Sequence, residues 1–510
     1  MADVVLIYFH NKDDLVHIPM GLLYIGTYLT HTGFKVKIHN YIKDNNEGLT
    51  EEEFRNLKGD LKDATCIGFS VLTTQVQRSL ELSKKVKTTL PKLSIVWGGV
   101  HPTLFPKSTC SNSNIDFVVI NEGEEPLIEL VKHLKSKNKN FKDIPNLVFK
   151  KNNKVIINKE GKLLKFENSP IPDWRLLDDF VKKNIIYHFQ GIAYKFVEIH
   201  TGRGCPYRCT FCLNAILFGK SRRSRSPESI IKEIKLLKKN YNVNLIKFRD
   251  ENFFINKEFL NELCNDILKE NLNIKWWTTA RANYFDKFDD QFLQKLKKSG
   301  CFHLLIGAES GSSKILKAIK KDITPEQLIS CAEKCIKHGI VPNFSFMVGF
   351  PDENLEDIKA TINLMVKLKS ISNDVAITGP HLLRPYPGGE LYETLRDKFG
   401  DYLKDKSLEE WATSEKLFNI FLKPSDLPWI KDPELIEIVV EYTSRMFNSL
   451  SKAPLWVRLF ADLKSKLYKI GIYSYLYSKN KFTRNLAKNY LKALDSIKKR
   501  SRVYVKDYIN

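Results

Sequence analysis

Thr201-Gly202-Arg203-Gly204-Cys205-Pro206-Tyr207-Arg208-Cys209-Thr210-Phe211-Cys212 carries three cysteines at C-x3-C-x2-C spacing, directly after the strand-like run Phe196-Val197-Glu198-Ile199-His200. Three thiolates on one tight loop hold three irons of a 4Fe-4S cluster and leave the fourth iron without a protein ligand. An open iron is a place where a small molecule chelates. Zinc is the alternative, but structural zinc wants a fourth Cys or His in a second knuckle. The nearest downstream cysteine, Cys264, stands alone.

The loop resembles that of the radical S-adenosylmethionine (SAM) superfamily. The resemblance implies that SAM chelates the open iron through its amino and carboxylate groups. It also implies that reduction of the cluster cleaves SAM to a 5'-deoxyadenosyl radical, and that Phe211 lies near the adenine.

With 510 residues, 43% of them hydrophobic and 27% charged, the chain has the composition of a globular protein of two or three domains. Six further cysteines, Cys66, Cys110, Cys264, Cys301, Cys331 and Cys335, show no disulfide or metal-ligand spacing. Free thiols beside a cluster point to a reducing compartment, so a cytoplasmic protein is expected. The N-terminus runs straight into a strand without the pattern of a signal peptide, and no apolar run reaches transmembrane length. Of the net charge of +22, residues 451–510 carry 15 Lys/Arg against 3 Asp, together with ten aromatics. A basic and aromatic tail fits peripheral contact with a membrane surface or nucleic acid, or simply a solvated helical face.

Upstream of the loop, apolar runs at residues 4–9, 34–38, 66–71, 94–99 and 117–120 read as strands, with helical runs such as 20–29 between them. This alternation predicts a doubly wound parallel sheet that binds ligands at the carboxyl ends of its strands. Those ends carry Thr73-Thr74-Gln75, Gly98-Gly99-Val100-His101-Pro102-Thr103 and Glu122-Gly123-Glu124. The motifs resemble the cobalamin-binding domain that precedes the barrel in one large radical SAM class. Gly98 and Gly99 would let backbone approach a large planar corrin. The resemblance assigns Thr73, Thr74, Gln75, Gly98, Gly99, His101, Glu122, Gly123 and Glu124 to cobalamin. Free-standing cobalamin modules often carry D-x-H-x-x-G, whose His ligates cobalt from below. Here Asp14-Leu15-Val16-His17-Ile18-Pro19-Met20-Gly21 has the wrong spacing. His17 therefore reads as a plain loop residue, and the domain as one whose cobalt lacks a His beneath it, or as a degenerate domain without cobalamin.

Residues 151–185 read as a polar, Pro-punctuated linker between a cobalamin-binding domain at 1–150 and a radical SAM domain at 186–400. Strand candidates follow at 196–200, 244–249, 274–279, 302–307, 343–348 and 374–378, with amphipathic helices such as 226–239 and 324–338 between them. Six β/α units match the partial (β/α)6 barrel of the superfamily, whose chemistry sits at the strand C-termini. By resemblance the strand-end residues Asp250, Glu251, Arg281, Glu309 and Ser310 contact SAM, with Arg281 able to pair with a carboxylate. Residues 401–510 read as a helical C-terminal domain. Trp456, Leu459, Phe460, Leu463 and Leu467 follow helical spacing, either packed on the barrel or lying on a membrane beside a lipid substrate.

The fold expected is thus α/β: a Rossmann-like cobalamin-binding domain, a partial radical SAM barrel and a helical tail. Its cofactors would be a 4Fe-4S cluster, SAM and cobalamin, with a reductant such as flavodoxin or ferredoxin. The resemblance implies radical methylation of an unactivated carbon or phosphorus centre in a small-molecule or lipid substrate. A non-methylating cyclase or oxidase resembling the anaerobic porphyrin-ester cyclases is the alternative. An RNA methylthiotransferase is disfavoured, because only Cys66 and Cys110 lie in the N-terminal third, where that family usually has three cluster cysteines. Nucleic acid is accordingly not the expected partner.

Overall fold

The computed structural model describes residues 2–11, 17–43, 47–136, 140–189, 192–400, 407–413, 423–447, 455–478 and 480–505. The chain forms two compact units, one of residues 1–208, 212–276 and 386–422, the other of 209–211, 277–385 and 423–510.

The first unit opens with strands β1 (Val4–Asn11), β2 (Val36–Lys43), β3 (Cys66–Ser70), β4 (Ser94–Gly98) and β5 (Phe117–Val119). They pair in parallel in the order β2-β1-β3-β4-β5. Their near-continuous apolar sequences reflect burial on both faces. Val5, Ile7, Ile67, Phe69 and Trp97 pack on one side, and Val4, Leu6, Cys66, Val96 and Phe117 on the other. Strand order reverses between β1 and β3, the switch point at which such sheets leave a crevice.

The sheet continues past residue 150. Strands β6 (Leu147–Lys151) and β7 (Lys154–Ile157) form a hairpin added antiparallel to β5, and it crosses the expected boundary between the first domain and the linker at 150/151. Its turn, Asn152-Asn153, has φ of 51° and 58°, the left-handed pair that a two-residue hairpin loop demands. Asparagine tolerates that conformation, but the polar flanks hide the hairpin from a hydrophobicity reading. The helix Leu408–Thr413 also belongs to this unit, and its Leu408 and Trp411 complete the core on the β1 face.

A second sheet begins in the same unit. Strand β8 (Ile186–Phe189) lies antiparallel on β9 (Ile192–Ile199), and the two-residue β10 (Gly202–Arg203) and β11 (Arg223–Ser224) pair antiparallel. Strand β12 (Leu245–Phe248) runs parallel to β9. Strand β13 (Lys275–Ala280) starts in the first unit and ends in the second. In the second unit β14 (Cys301–Glu309), β15 (Val341–Val348) and β16 (Ala376–Leu382) run parallel. The last strand lies later than the expected 374–378, because it runs through Pro380. A proline lacking its N–H is tolerated there, since β16 ends its sheet.

The predicted helices start at their caps. Ser226 accepts from the Ser229 N–H ahead of Pro227–Tyr241, and Thr324 forms a capping box with Gln327 ahead of Pro325–Lys337. In the tail, Leu455–Leu476 buries Tyr468, Ile472, Tyr475 and Leu476, while Leu463 is exposed. Of the stripe read in the sequence, Leu467 is half-buried. The side chains of Trp456, Leu459 and Phe460 lie outside what the structure describes. Among the described residues no helix is long and apolar enough to cross a membrane.

Candidate active site

The cysteine loop is held by buried charge. Asp250, after β12, accepts from the Thr201 N–H at 2.8 Å and from the Thr201 hydroxyl, and pairs with Arg222 at 2.8 Å. Glu251 accepts from the Gly204 N–H at 2.9 Å. Gly204 has φ of 91°, and a Cβ there would meet the Ser221 carbonyl oxygen at 2.2 Å, so only glycine fits this turn. Arg203 is clamped by Glu124 at 2.7 Å and Glu122 at 3.2 Å, with its guanidinium over the rings of Tyr24 and Phe166. Arg223 adds a second partner to Glu122 at 2.8 Å.

Cys205, Cys209 and Cys212 are half-buried, whereas the six other cysteines are buried. Asn252 donates to the Cys205 sulfur at 3.7 Å. In the second unit, the Arg281 guanidinium donates to the Cys209 sulfur at 3.5 Å and to the Lys321 carbonyl. Accessible sulfurs facing N–H donors suit thiolate ligands. Among the described residues no three His, Cys, Asp or Glu side chains gather around a single-ion position. A cluster takes its thiolates at separate irons, so the donor set fits it.

The second unit also places Phe211, whose ring lies 6.0 Å from the Lys321 ammonium. Lys321 pairs with Glu309 at 2.6 Å. Glu309 sits at a bulge in β14 with φ of 63°. Ser310 is fully buried and bonds Thr361 at 3.0 Å and the Ser312 N–H at 3.1 Å, which makes it a loop brace.

A cavity of about 570 Å³ opens in the first unit at the C-terminal ends of β1, β3 and β4. It is lined by Leu6, Tyr8, Gly68, Ser70, Gly98 and Gly99 from the first sheet, by His17 from the loop after β1, and by His200, Arg203, Arg249 and Glu251 from the segments around the cysteine loop and the end of β12. Glu122, Gly123 and Glu124 also line it. Gly99 has φ of 97°, and a Cβ there would come within 2.8 Å of the Val71 nitrogen. Bare backbone at the strand ends is the surface that a large flat ligand requires, so the cavity fits cobalamin.

Four residues expected here stand off the cavity. Gln75 is buried, donating to the Phe9 carbonyl at 2.5 Å and accepting from the Leu72 N–H at 2.8 Å. Thr73 approaches His101 at 3.3 Å, and His101 is itself fully buried against Phe105 and Trp411. Thr74 belongs to the same short turn as Gln75. Conversely, sequence pattern assigned no role to His200, Arg203, Arg222, Arg249 and Asn252, and set His17 aside as a plain loop residue. The basic run Arg222-Arg223-Ser224-Arg225 was visible, but Asp250 and Glu122, the partners of Arg222 and Arg223, stand far from it in sequence and carry no local signal.

Electrostatics separate the carboxylates. Burial alone would raise Glu122, but the Arg223 hydrogen bond and the Arg203 charge outweigh it and hold its carboxyl below the usual range. Glu251 has no cationic partner of that strength. Burial, then the charge of Asp250, push it up to about 7. His200 is lowered to about 3 by burial and by the charges of Arg203 and Arg249, so its imidazole stays neutral.

Residues 199–365 match the Radical SAM superfamily, and residues 11–131 match the B12 binding domain. An uncharacterized methyltransferase of Pyrococcus horikoshii is 33% identical over 380 residues, covering 74% of this chain and 78% of that protein. The anaerobic magnesium-protoporphyrin IX monomethyl ester cyclase of Rubrivivax gelatinosus is 26% identical, over 74% of this chain and 66% of the cyclase. The structure of the cobalamin-dependent SAM radical enzyme OxsB, with aqua-cobalamin and SAM bound, superposes with a TM-score of 0.68 at 19% identity, covering 97% of this chain and 75% of OxsB. The chain belongs to the radical SAM enzymes that carry an N-terminal B12-binding domain. Its cofactors are a 4Fe-4S cluster, SAM and cobalamin, and it requires a reductant.

Proposed function

We propose that this enzyme transfers a methyl group from SAM, by way of cobalamin, to an unactivated carbon or phosphorus centre of a small molecule. The observation that carries the reading is a cavity lined both by the strand ends of the first sheet and by the charged shoulder of the cysteine loop. When bound, the cluster supplies the electron that cleaves SAM, and cobalamin supplies the methyl carrier. The chain's own part is to bind, orient and exclude water. Glu122 and Glu124 fix Arg203, and Arg203 continues directly into the loop that presents Cys205. Glu251 braces that loop at Gly204 while also facing the cavity. Glu309, Lys321 and Arg281 form the charged set beside Phe211 suited to the polar ends of SAM.

Incubation of the reconstituted enzyme with cobalamin and methyl-labelled SAM against a lysate of its source tests the reading. Label is expected in a small-molecule product, detected by mass. SAM cleavage without label transfer would instead favour the cyclase or oxidase reading, which the Rubrivivax relative supports. A lipid substrate presented at a membrane is a finer proposal. Its support is the basic tail, with Ile470, Phe482 and Leu486 exposed on the helices Leu455–Leu476 and Lys481–Val505.

A further inference from the structure

We propose that Arg384, with His381 beside it, binds an anionic group, a carboxylate or a phosphate-type oxyanion, on the small molecule that receives the methyl group. Calling that molecule the methyl acceptor rests on the function proposed above, whereas the anion site itself does not. Every residue of the site lies in the second unit. In β15, Phe344, Phe346 and Val348 are fully buried, while Asn343, Ser345 and Met347 alternate with them and are half-buried. The helices Pro325–Lys337 and Leu355–Ile371 pack against β15 and β16, so Asn343, Ser345 and Met347 mark the open face of these strands. Across that face the Thr378 hydroxyl donates to Asn343 at 2.7 Å. His381 stands opposite Met347 in the parallel register and shares its face at the carboxyl end. Arg384 follows just past β16, where the Leu383 N–H still bonds the Val348 carbonyl at 2.9 Å. The carboxyl ends of parallel strands are where such folds bind ligands.

The neighbouring strand-end cations are held by the protein. Lys321 pairs with Glu309 at 2.6 Å, and Arg281 donates to the Cys209 sulfur and the Lys321 carbonyl. Arg384 differs. It is half-buried, and among the described residues it makes no ion pair and no side-chain hydrogen bond. A guanidinium withdrawn from water without a counterion carries a cost that a bound anion removes. Its planar fork of donors matches two oxygens of a carboxylate or a phosphate. His381 likewise has no hydrogen-bond partner among the described residues. Partial burial, then the charge of Arg384, hold its imidazole below the ordinary range, and Glu309 opposes them. The neutral ring brings an N–H donor to the site without a second charge. Glu309 is taken up by Lys321 and does not supply the counterion that Arg384 lacks.

The test titrates the enzyme carrying its cluster, cobalamin and SAM with inorganic phosphate and, separately, with acetate, followed by calorimetry. At least one anion is expected to bind saturably, with an affinity that falls about tenfold in Arg384→Gln and less in Arg384→Lys. Binding of phosphate alone assigns a phosphate-type group to the ligand, and binding of acetate alone a carboxylate. Iron content and SAM affinity should stay at the parent's values. No saturable binding of either anion, or equal binding in the parent and Arg384→Gln, overturns the proposal. So does a fall in SAM affinity in Arg384→Gln, which would give this arginine to the SAM carboxylate. Where Arg384→Gln fails to hold iron, Arg384→Lys and His381→Gln are read in its place, and anion binding unchanged in both overturns the proposal. In the lysate experiment the labelled product should be retained on an anion exchanger at neutral pH. A neutral labelled product overturns the site as the acceptor's anchor and leaves methyl transfer standing. No labelled product, with anion binding lost in Arg384→Gln, overturns methyl transfer and leaves the anion site standing.

Discussion

The two walls of the cavity are built on opposite principles. The lining from the ends of β1, β3 and β4 is largely backbone and apolar surface, with Gly68 and Gly99 where a Cβ would press on Leu6 and on the Val71 nitrogen. The lining from the ends of β9 and β12 carries the charge: Arg203 is held by two carboxylates and Glu251 by a backbone N–H, while His200 between them stays neutral. The first wall selects by shape, and its failure mode is a clash. The second selects by orientation, and its failure mode is an unpaired buried charge.

The largest expected effect belongs to the loop that the charged wall supports. Replacing Cys205, Cys209 and Cys212 together by Ala should abolish SAM cleavage and cluster absorbance, with cobalamin binding retained. Iron remaining at about four per chain in the purified variant would break the assignment. Next comes the clamp. Arg203→Ala strips Glu124 of its buried partner and should destabilise the protein by about 3 kcal/mol, read by denaturant unfolding. An unchanged midpoint would mean that the two carboxylates are solvated and the wall is not charge-braced.

On the apolar wall, Gly99→Val places a side chain at positive φ against the Val71 nitrogen, at a cost of about 1–3 kcal/mol. Cobalamin affinity should fall while iron content after reconstitution stays normal. Equal loss of both would show that the walls do not act separately.

Glu251 gives a smaller effect, with a definite sign. Its folded-state carboxyl titrates at about 7, above the 4.5 of an ordinary glutamate, so the native protein holds a proton that the unfolded chain releases earlier. The resulting stabilisation is present in acid and is lost as pH rises through about 7. Cluster-free Glu251→Gln protein should therefore gain stability relative to the parent between about pH 5 and about pH 8 in thermal unfolding. A difference independent of pH would place Glu251 among ordinary solvated carboxylates. The smallest effect is at the tail, outside both walls. Flotation with anionic vesicles at low salt should recover the protein and should weaken with Phe482→Ser and Leu486→Ser. Absence from the vesicle fraction would remove the membrane proposal.

Much of this was legible in the chain. Five apolar runs marked the strands of the first parallel sheet, because strands buried on both faces need continuous Val, Ile and Leu. Asp250 and Glu309 were singled out by position, since strand ends are where parallel folds put polar side chains; in the structure Asp250 holds Thr201 and Arg222, and Glu309 pairs with Lys321. The β6–β7 hairpin was not legible, because its turn is coded by asparagine conformation within a polar stretch. His101 and Gln75 were misread for a related reason. A polar residue at a strand end either faces the ligand or turns inward to close its own loop, and the local sequence is the same for both.

The sequence by itself determined the cluster loop and the class of fold, because covalent spacing and hydrophobic period are local properties, and its resemblance to the radical SAM family implied SAM and cobalamin. Only the tertiary structure decided which carboxylate meets which cation. Glu122 with Arg203, and His17 with Glu198, join residues 81 and 181 positions apart. Such pairs form because burying a charge without a partner is costly, and the partner is set by where the strands bring the chain, not by what stands next to it in sequence.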